Sequence, residues 1–377
     1  HRTGIREIEW DWYMNPSRSR KEVLKTMKYS SLVHEFRSGY HYSNRMFLAA
    51  GEIIPEVTGM SWDNFVENRI FKPLGMKNSN TSITKFGRNN NVATPHVLSK
   101  NNVTTTVPYH NDDNTGPAGS INSSAIDMVQ WLRFQLNNGK VVDRVIVKED
   151  ALNETRQIHN VVTNGIEKIF KLSGLGGQFT TYGLGIFIDE VEGYKIYQHG
   201  GTIDGMMSEA VFVPELDLGI VVLSNLEEWY SHSLVGWILS CYAGDNETDW
   251  SDSLFKEWNS YLATEKEEKL QARIKAVPNA KPSLPLTQYT GTYVNELVGS
   301  LIITIEDGSL SYRQGEIVQG KMMHLHFDTF IASITKPLRK ALMIEEVPMQ
   351  FNLGIDGTIK SVGAKVSGLD MLYVKKH

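Results

Sequence analysis

The sequence has a single cysteine, Cys241, and that scarcity excludes an internal disulfide framework and any cysteine-rich metal site. No candidate base stands beside it in the run Gly236-Trp237-Ile238-Leu239-Ser240, so Cys241 reads as a small buried apolar side chain. Long hydrophobic runs are also missing: no stretch reaches the ~20 apolar residues a membrane-spanning helix requires. Neither sign of charge dominates. Lys and Arg number 38 against 43 Asp and Glu, for a net charge of −5 and a pI of about 6.2. Such a balance calls for neither nucleic acid nor an anionic membrane surface. The densest charged run, residues 265–275, mixes both signs and reads as a solvated helix face. Internal repeats and low-complexity tracts are absent. The chain opens on His-Arg-Thr-Gly with no signal-peptide pattern, the start expected of a processed or truncated product.

What remains is ordinary globular material, 41% apolar and 21% charged over 377 residues, too long for one comfortable core and suited to two domains or to one large domain with an appendage. Residues 1–150 read as helices and long loops. Phe47, Leu48, Gly51, Ile54 and Val57 recur at helical spacing. A helix capped by Ser61 carries Phe65, Val66 and Ile70 and stops at Pro73. Residues 84–116, rich in Asn, Thr and Asp, read as a surface loop. Ser124 and Asp127 form a capping-box pattern for a helix with Val129, Leu132 and Leu136 on one face, ended by Asn137-Asn138-Gly139.

From Tyr182 the period changes to two. Residues 182–188, 194–199, 210–213 and 219–224 are β-like and joined by short turns, which predicts an antiparallel meander. The apolar run 234–242 is a helix fit to cover that sheet. A charged helix over about 253–277 leads to Pro278, Pro282 and Pro285, where a boundary falls. Seven alternating runs follow, at 291–294, 301–306, 309–313, 322–327, 349–353, 359–366 and 371–374. Asp307-Gly308 and Asp356-Gly357 carry the type I′ hairpin signature. A small closed or nearly closed barrel of seven or eight strands is the expectation. The fold class is thus α/β, an antiparallel sheet with flanking helices, plus an all-β barrel. The domains are 1–250 and 286–377, with a helical linker over 251–285.

Two segments hold candidate chemistry: Tyr42-Ser43-Asn44 ahead of an apolar helix, and His199-Gly200-Gly201-Thr202 at the end of a strand. Alone, each has a plain alternative. The first suits a helix start, and the glycines of the second suit a turn with positive φ. Several landmarks lie in order around them: His1-Arg2-Thr3-Gly4-Ile5, Phe71-Lys72-Pro73-Leu74-Gly75-Met76, Pro117-Ala118-Gly119-Ser120, Tyr182-Gly183-Leu184-Gly185, and residues 214–225. With these, the chain resembles the serine β-lactamase and penicillin-binding protein family over residues 1–245. The likeness is to the class C-like branch of DD-peptidases, D-aminopeptidases and esterases. From Tyr289-Thr290-Gly291-Thr292-Tyr293 onward it resembles the lipocalin-like barrel appended to many members of that branch.

The resemblance implies acyl transfer through a serine ester, on a β-lactam, a D-amino-acid peptide or an ester, with no metal and no organic cofactor. The reaction needs an activated hydroxyl, a base, a proton route to the leaving group and an oxyanion hole. It implies that Tyr42 exchanges protons beside the lysine of a Ser-x-x-Lys turn, which a phenol of pKa ~10 does only under positive charge. It implies that Asn44 offers its amide to substrate, that Gly200 and Gly201 let substrate lie along a strand edge, and that the Thr202 amide is one oxyanion donor. His199 stands where many β-lactamases have Lys. An imidazole only partly charged near neutral pH holds a substrate carboxylate less firmly, which favours esters or D-amino-acid peptides.

The Ser-x-x-Lys expected ahead of His1 is missing. Ser82-Ile83-Thr84-Lys85, Ser253-Leu254-Phe255-Lys256 and Ser333-Ile334-Thr335-Lys336 fit the letters but follow Tyr42 and sit in the wrong elements. The nucleophile is therefore expected upstream of residue 1, and the chain alone is expected to be inactive. Export to a bacterial periplasm or beyond is a further expectation of the resemblance. The alternative is a non-catalytic protein that binds peptidoglycan or a partner in a relict groove. His110-Asn111-Asp112-Asp113 reads as a solvated loop rather than a metal site, and His34-Glu35 and His41 as surface histidines without HExxH spacing. Asn80, Asn102, Asn122, Asn153 and Asn246 head Asn-x-Ser/Thr triplets, a weak sign of a secretory route.

Overall fold

The computed structural model describes residues 1–86, 91–98, 103–162, 180–191, 193–228, 230–244, 249–256, 259–260, 263–264, 276–335, 346–366 and 369–376. The chain divides into two compact units. One comprises His1–Glu7 and Ser31–Glu265, the other Ile8–Ser30 and Lys266–His377. A cut at the proline-rich boundary alone leaves Ile8–Ser30 in the first domain; its packing puts it in the second. The charged run 265–275 and most of the linker helix lie outside the described residues.

The first unit is built on a six-stranded sheet of β1 (Asn160–Val161), β2 (Thr181–Tyr182), β3 (Phe187–Val191), β4 (Tyr194–Ile203), β5 (Met206–Val213) and β6 (Leu218–Ser224). Neighbours in sequence are neighbours in the sheet, and every pairing is antiparallel. The run 182–188 is two strands rather than one. Gly183 N donates to the Ile186 carbonyl at 2.8 Å and Gly185 takes φ 87°, so the segment turns back on itself.

Two helices press on opposite faces of this sheet, as alternation along β6 requires. Ile220 packs with Ile196, Val211 and Val213 against Val235 and Leu239 of a helix over Tyr230–Ala243. Its neighbour Gly219 faces Leu132 of the helix over Ala125–Leu136, where an added Cβ would lie 3.0 Å from the Leu132 Cβ. Burying each such aliphatic side chain stabilises by about 1.5–3 kcal/mol. Cys241, at the end of the first helix, is half-buried rather than buried.

Four further expectations are corrected. Val129 is exposed, and the helix buries Leu132, Phe134 and Gln135 instead. The capping box at Ser124 is half made: its hydroxyl accepts from Asp127 N at 3.4 Å. The Asp127 carboxylate instead accepts from Asn78 N and the Ser79 hydroxyl, both at 2.7 Å. The helix from Trp62 does not stop at Pro73. A π turn over Glu67–Phe71 widens the spiral ahead of the proline ring, and the helix ends at Gly75 with φ 73°. Residues 84–116 are not all surface: His110, Asp112, Asn114 and Thr115 are buried.

The second unit is a closed antiparallel barrel. Its strands are β7 (Gly291–Asn295), β8 (Gly299–Glu306), β9 (Ser309–Gln314), β10 (Val318–His326), β11 (Thr329–Ile334), β12 (Val347–Leu353), β13 (Ile359–Val366) and β14 (Leu369–Lys375). Closure comes from Tyr293↔Lys375 and Val294↔Val374. Tyr289, Tyr293, Phe330 and Phe351 are buried and meet edge to face at 4.9–5.9 Å. The interior is a packed core. Asp307 and Gly308 have φ 52° and 74°, the type I′ geometry expected of them. Asp356-Gly357 is different: it lies in a five-residue loop closed by Gly354 N donating to Thr358 O at 2.8 Å.

Within this unit the segment Ile8–Ser30 is gripped by barrel turns. Asn15 Nδ2 donates to the Val298 carbonyl at 3.2 Å, Arg18 to the Leu297 carbonyl at 3.1 Å, and Glu316 N to the Met14 carbonyl at 2.8 Å. Asp11, wholly buried, accepts from Arg18 and Thr26.

Candidate active site

The site is framed by an extended pairing between the first residues and the stretch 31–41. Arg6 N donates to Ser31 O at 2.9 Å, Val33 N to Gly4 O at 2.8 Å, Arg37 N to Arg2 O at 2.7 Å and His41 N to His1 O at 3.0 Å. Gly4 is required here: its φ is 74°, and a Cβ would come 2.1 Å from the His34 carbonyl oxygen. This pairing delivers the chain to Tyr42-Ser43-Asn44 and the helix α1 (Asn44–Thr58). Ser43 is the N-cap, extended at φ −150°, but its side chain does not cap the helix. It donates instead to Glu7, whose Oε2 also accepts from Arg45 N at 3.4 Å. Arg45 is fully buried, with Nε 3.5 Å from Glu7 Oε1 and a guanidinium N–H bonded to the Arg6 carbonyl at 2.6 Å. His41, half-buried rather than a surface histidine, accepts from Glu7 N at 3.0 Å. Burial, and then the charge of Arg6, hold its pKa below the ordinary value.

Tyr42 and His199 are brought together, with ring centroids 6.4 Å apart. Around them lie His1, 4.1 Å from the Tyr42 ring, Phe187, 5.2 Å from His199, and Tyr182. His199 Nδ1 donates to the Gly200 carbonyl at 2.7 Å, which leaves Nε2 to accept from the Tyr182 hydroxyl at 3.1 Å. Burial in this aromatic surround pushes the imidazole pKa down, against the opposing pull of the Gly200 carbonyl and the Glu209 carboxylate. His199 is therefore a neutral group with both nitrogens engaged.

His199, Gly200, Gly201 and Thr202 lie on β4, not in a turn, and neither glycine takes positive φ. The β3 ladder stops at Phe187↔Gln198. Beyond Gln198, β4 pairs only with β5 among the described residues, so its other edge carries no ladder partner over His199–Thr202. The glycines also have an internal reason. A Cβ on Gly200 would come 2.5 Å from Glu209 Oε1, and one on Gly201 2.9 Å from Ser208 Oγ. Glu209 is buried and paired with buried His232 at 3.1 Å. Glu7, Arg45, Glu209 and His232 escape a reading of the sequence, since each pair joins distant segments with no spacing to mark it.

The alternative Ser-x-x-Lys matches are not assembled as such. Ser82 Oγ donates to Asp113 at 2.7 Å, while Lys85 turns to Thr81 at 3.2 Å and Glu67 at 3.8 Å. Lys256 pairs with Asp252 at 2.5 Å. Lys336, the last residue of the third match, lies outside the described residues, as do Asn102 and Asn246. Asn80 and Asn122 bond to each other at 3.1 Å through their side chains. His110 Nε2 sits 3.1 Å from Asp112 Oδ1 in a buried loop, not a solvated one. Among the described residues no group of three or more His, Cys, Asp or Glu is placed to hold a metal. Among the same residues no helix is long and apolar enough to cross a membrane.

Tyr42, at a helix start, and His199, on a strand of an antiparallel sheet covered by helices, converge in the architecture shared by β-lactamases and penicillin-binding proteins. The chain belongs to the Beta-lactamase family, which matches residues 1–239; residues 275–375 match a domain of unknown function, DUF3471. The chain is 24% identical over 391 residues to Unguisins hydrolase ungD' of Aspergillus campestris, covering 96% of this chain and 68% of that protein. To Protein flp of Staphylococcus aureus (strain MRSA252) it is 27% identical over 229 residues, covering 60% of this chain and 41% of that one. The octameric penicillin-binding protein homologue from Pyrococcus abyssi has the same fold, with a TM-score of 0.57 at 16% identity over 99% of this chain and 76% of its own. D-amino acid amidase from Ochrobactrum anthropi SV3 gives 0.51 at 20% identity, over 65% of this chain and 69% of its own.

Proposed function

We propose that this chain is the larger part of a serine hydrolase that cleaves an ester or amide through an acyl-enzyme, with its Ser-x-x-Lys turn upstream of residue 1. The observation that carries this reading is the meeting of Tyr42 and His199 at 6.4 Å beside an edge of β4 that has no ladder partner among the described residues. The serine hydroxyl attacks the acyl carbon and its proton passes to Tyr42, held as phenolate by the neighbouring lysine. Tyr42 returns that proton to the departing amine or alcohol as the acyl–heteroatom bond breaks. Water then hydrolyses the serine ester by the same route. Asn44 donates its amide to the substrate carbonyl. The Thr202 N–H, with the serine's own N–H, stabilises the oxyanion, a contribution of roughly 3–4 kcal/mol per donor. Gly200 and Gly201 keep the edge of β4 clear for an extended acyl chain.

The neutral His199 argues for substrates without a carboxylate at that position, such as esters, amides and D-amino-acid derivatives, over β-lactams. The test is intact mass after treatment of the longest product of the gene with a fluorophosphonate and with a fluorescent penicillin. A serine upstream of this chain labelled by the first probe, and a loss of labelling in Tyr42→Phe, is the expected result. A folded full-length protein that neither probe labels overturns the hydrolase reading and leaves a binding protein with a relict groove.

A further inference from the structure

The start of α1 is held in an unusual way. A helix leaves its first four amides without partners inside the helix, and an N-cap serine ordinarily accepts from one of them. Ser43 occupies that position, yet its hydroxyl turns away and donates to Glu7. Glu7 does the capping from another segment, accepting from Arg45 N at 3.4 Å with its negative charge at the positive end of the helix. Its other oxygen lies 3.5 Å from the guanidinium of Arg45, an arginine with no solvent exposure, and its own amide donates to His41. One residue thus grips positions 41, 43 and 45. The residues interleaved with these are Tyr42 and Asn44. Backbone at Ser43 is extended, so neighbouring side chains there leave on opposite sides. Tyr42 accordingly meets His1 and His199 while Ser43 meets Glu7.

We propose that Glu7 is a positioning residue for Tyr42 and Asn44, an inference that rests on the hydrolase reading above. It touches neither substrate nor reacting atoms. It fixes the turn from extended chain into α1, and with it the distance between the Tyr42 phenol and the nucleophile. A displacement of about 1 Å in such a group slows chemistry by roughly 100-fold. Substrate binding along β4, which Glu7 does not touch, is left alone.

Two measurements test this. On the full-length product, Glu7→Ala is expected to slow acylation by the fluorophosphonate about 100-fold at saturation, with the half-saturating concentration changed less than about threefold. Glu7→Gln keeps an acceptor for Ser43 and Arg45 but loses the charge beside the guanidinium, so it is expected to slow the same step about 10-fold. On the same full-length product, hydrogen exchange at the Arg45 amide, which donates to Glu7, is expected to speed up at least 10-fold in Glu7→Gln, with the β4 and β5 amides unchanged. The glutamine variant decides the matter if the alanine variant fails to fold. Wild-type acylation rates and unchanged protection of the Arg45 amide in a folded Glu7→Gln protein overturn the proposal. Absence of labelling in the unmodified full-length protein overturns the hydrolase reading instead, and the exchange experiment still reports whether Glu7 holds the turn.

Discussion

The two sheets of this protein place their buried carboxylates differently: Asp11 and Asp328 of the barrel unit lie outside its strands, whereas Asp189 and Glu209 lie on β3 and β5 of the open sheet. The barrel closes on Tyr289, Tyr293, Phe330 and Phe351, edge to face, with Leu301, Ile303 and Leu310 also buried. The open sheet buries Asp189 bonded to Gln198, and Glu209 paired with His232, and it leaves side chains out at Gly200 and Gly201. Buried charge and missing side chains give up packing energy, so a fold keeps them where geometry matters more than stability.

The largest effects should separate the two regions. Phe351→Ala removes a ring from the barrel centre and should cost about 3–5 kcal/mol. In hydrogen exchange the barrel strands should lose protection while β4 and β5 keep theirs; equal losses in both would merge the two regions into one cooperative unit. Glu209→Ala takes a buried carboxylate away from buried His232, 3.1 Å from it, and should cost about 3 kcal/mol in urea unfolding. Replacing both partners, Glu209→Met with His232→Leu, should restore most of that loss, and a double variant no better than the single would show that the pair is not the reason for the cost. Gly308→Ala, at φ 74° in a barrel turn, should cost about 1 kcal/mol, read as a shift in midpoint.

The smallest and most telling effect is in pH dependence. His199 has a lowered pKa, so folding favours its neutral form. Its contribution is present above the unfolded value of about 6.5 and is lost as pH falls below it, until the folded value is reached. His199→Gln should flatten the acid limb of the stability profile. Burial and a bond to Asp328 push Tyr289 up to about 12, and burial pushes Tyr312 up to about 12. Their contributions are complete below the unfolded value of about 10 and fade as pH rises towards 12, so Tyr312→Phe should flatten the alkaline limb. Urea midpoints across pH 5–11 would read both limbs in one experiment.

The same contrast governs how much the sequence discloses. Barrel strands are legible because each has one inner face, and period-two runs mark seven of them. The strand over Thr329–Ile334 is missed because its first four residues are all buried and show no alternation. Four runs of the meander and its covering helix follow from apolar pattern, while the two-residue strand Asn160–Val161 carries no such mark, and the Tyr42 and His199 motifs are visible as short words. Their supports are not. Glu7 and Arg45 look like any surface charges until the fold brings residues 7 and 43–45 together, and Glu209 looks solvated until His232 arrives from a helix. The loop at His110 misleads for a related reason: polar groups that bond to one another can be buried, and composition alone reports only that they are polar.

The grip of the barrel on Ile8–Ser30 sets a timetable for biosynthesis. Asn15 waits for Val298, 283 residues further along, which at ~5–20 residues per second takes roughly 15–60 s to emerge from the ribosome. During that interval Trp10, Trp12, Tyr13 and Met14, all buried in the finished protein, have no barrel to shelter them. The excursion between Glu7 and Ser31 is thus made long before the turns that hold it.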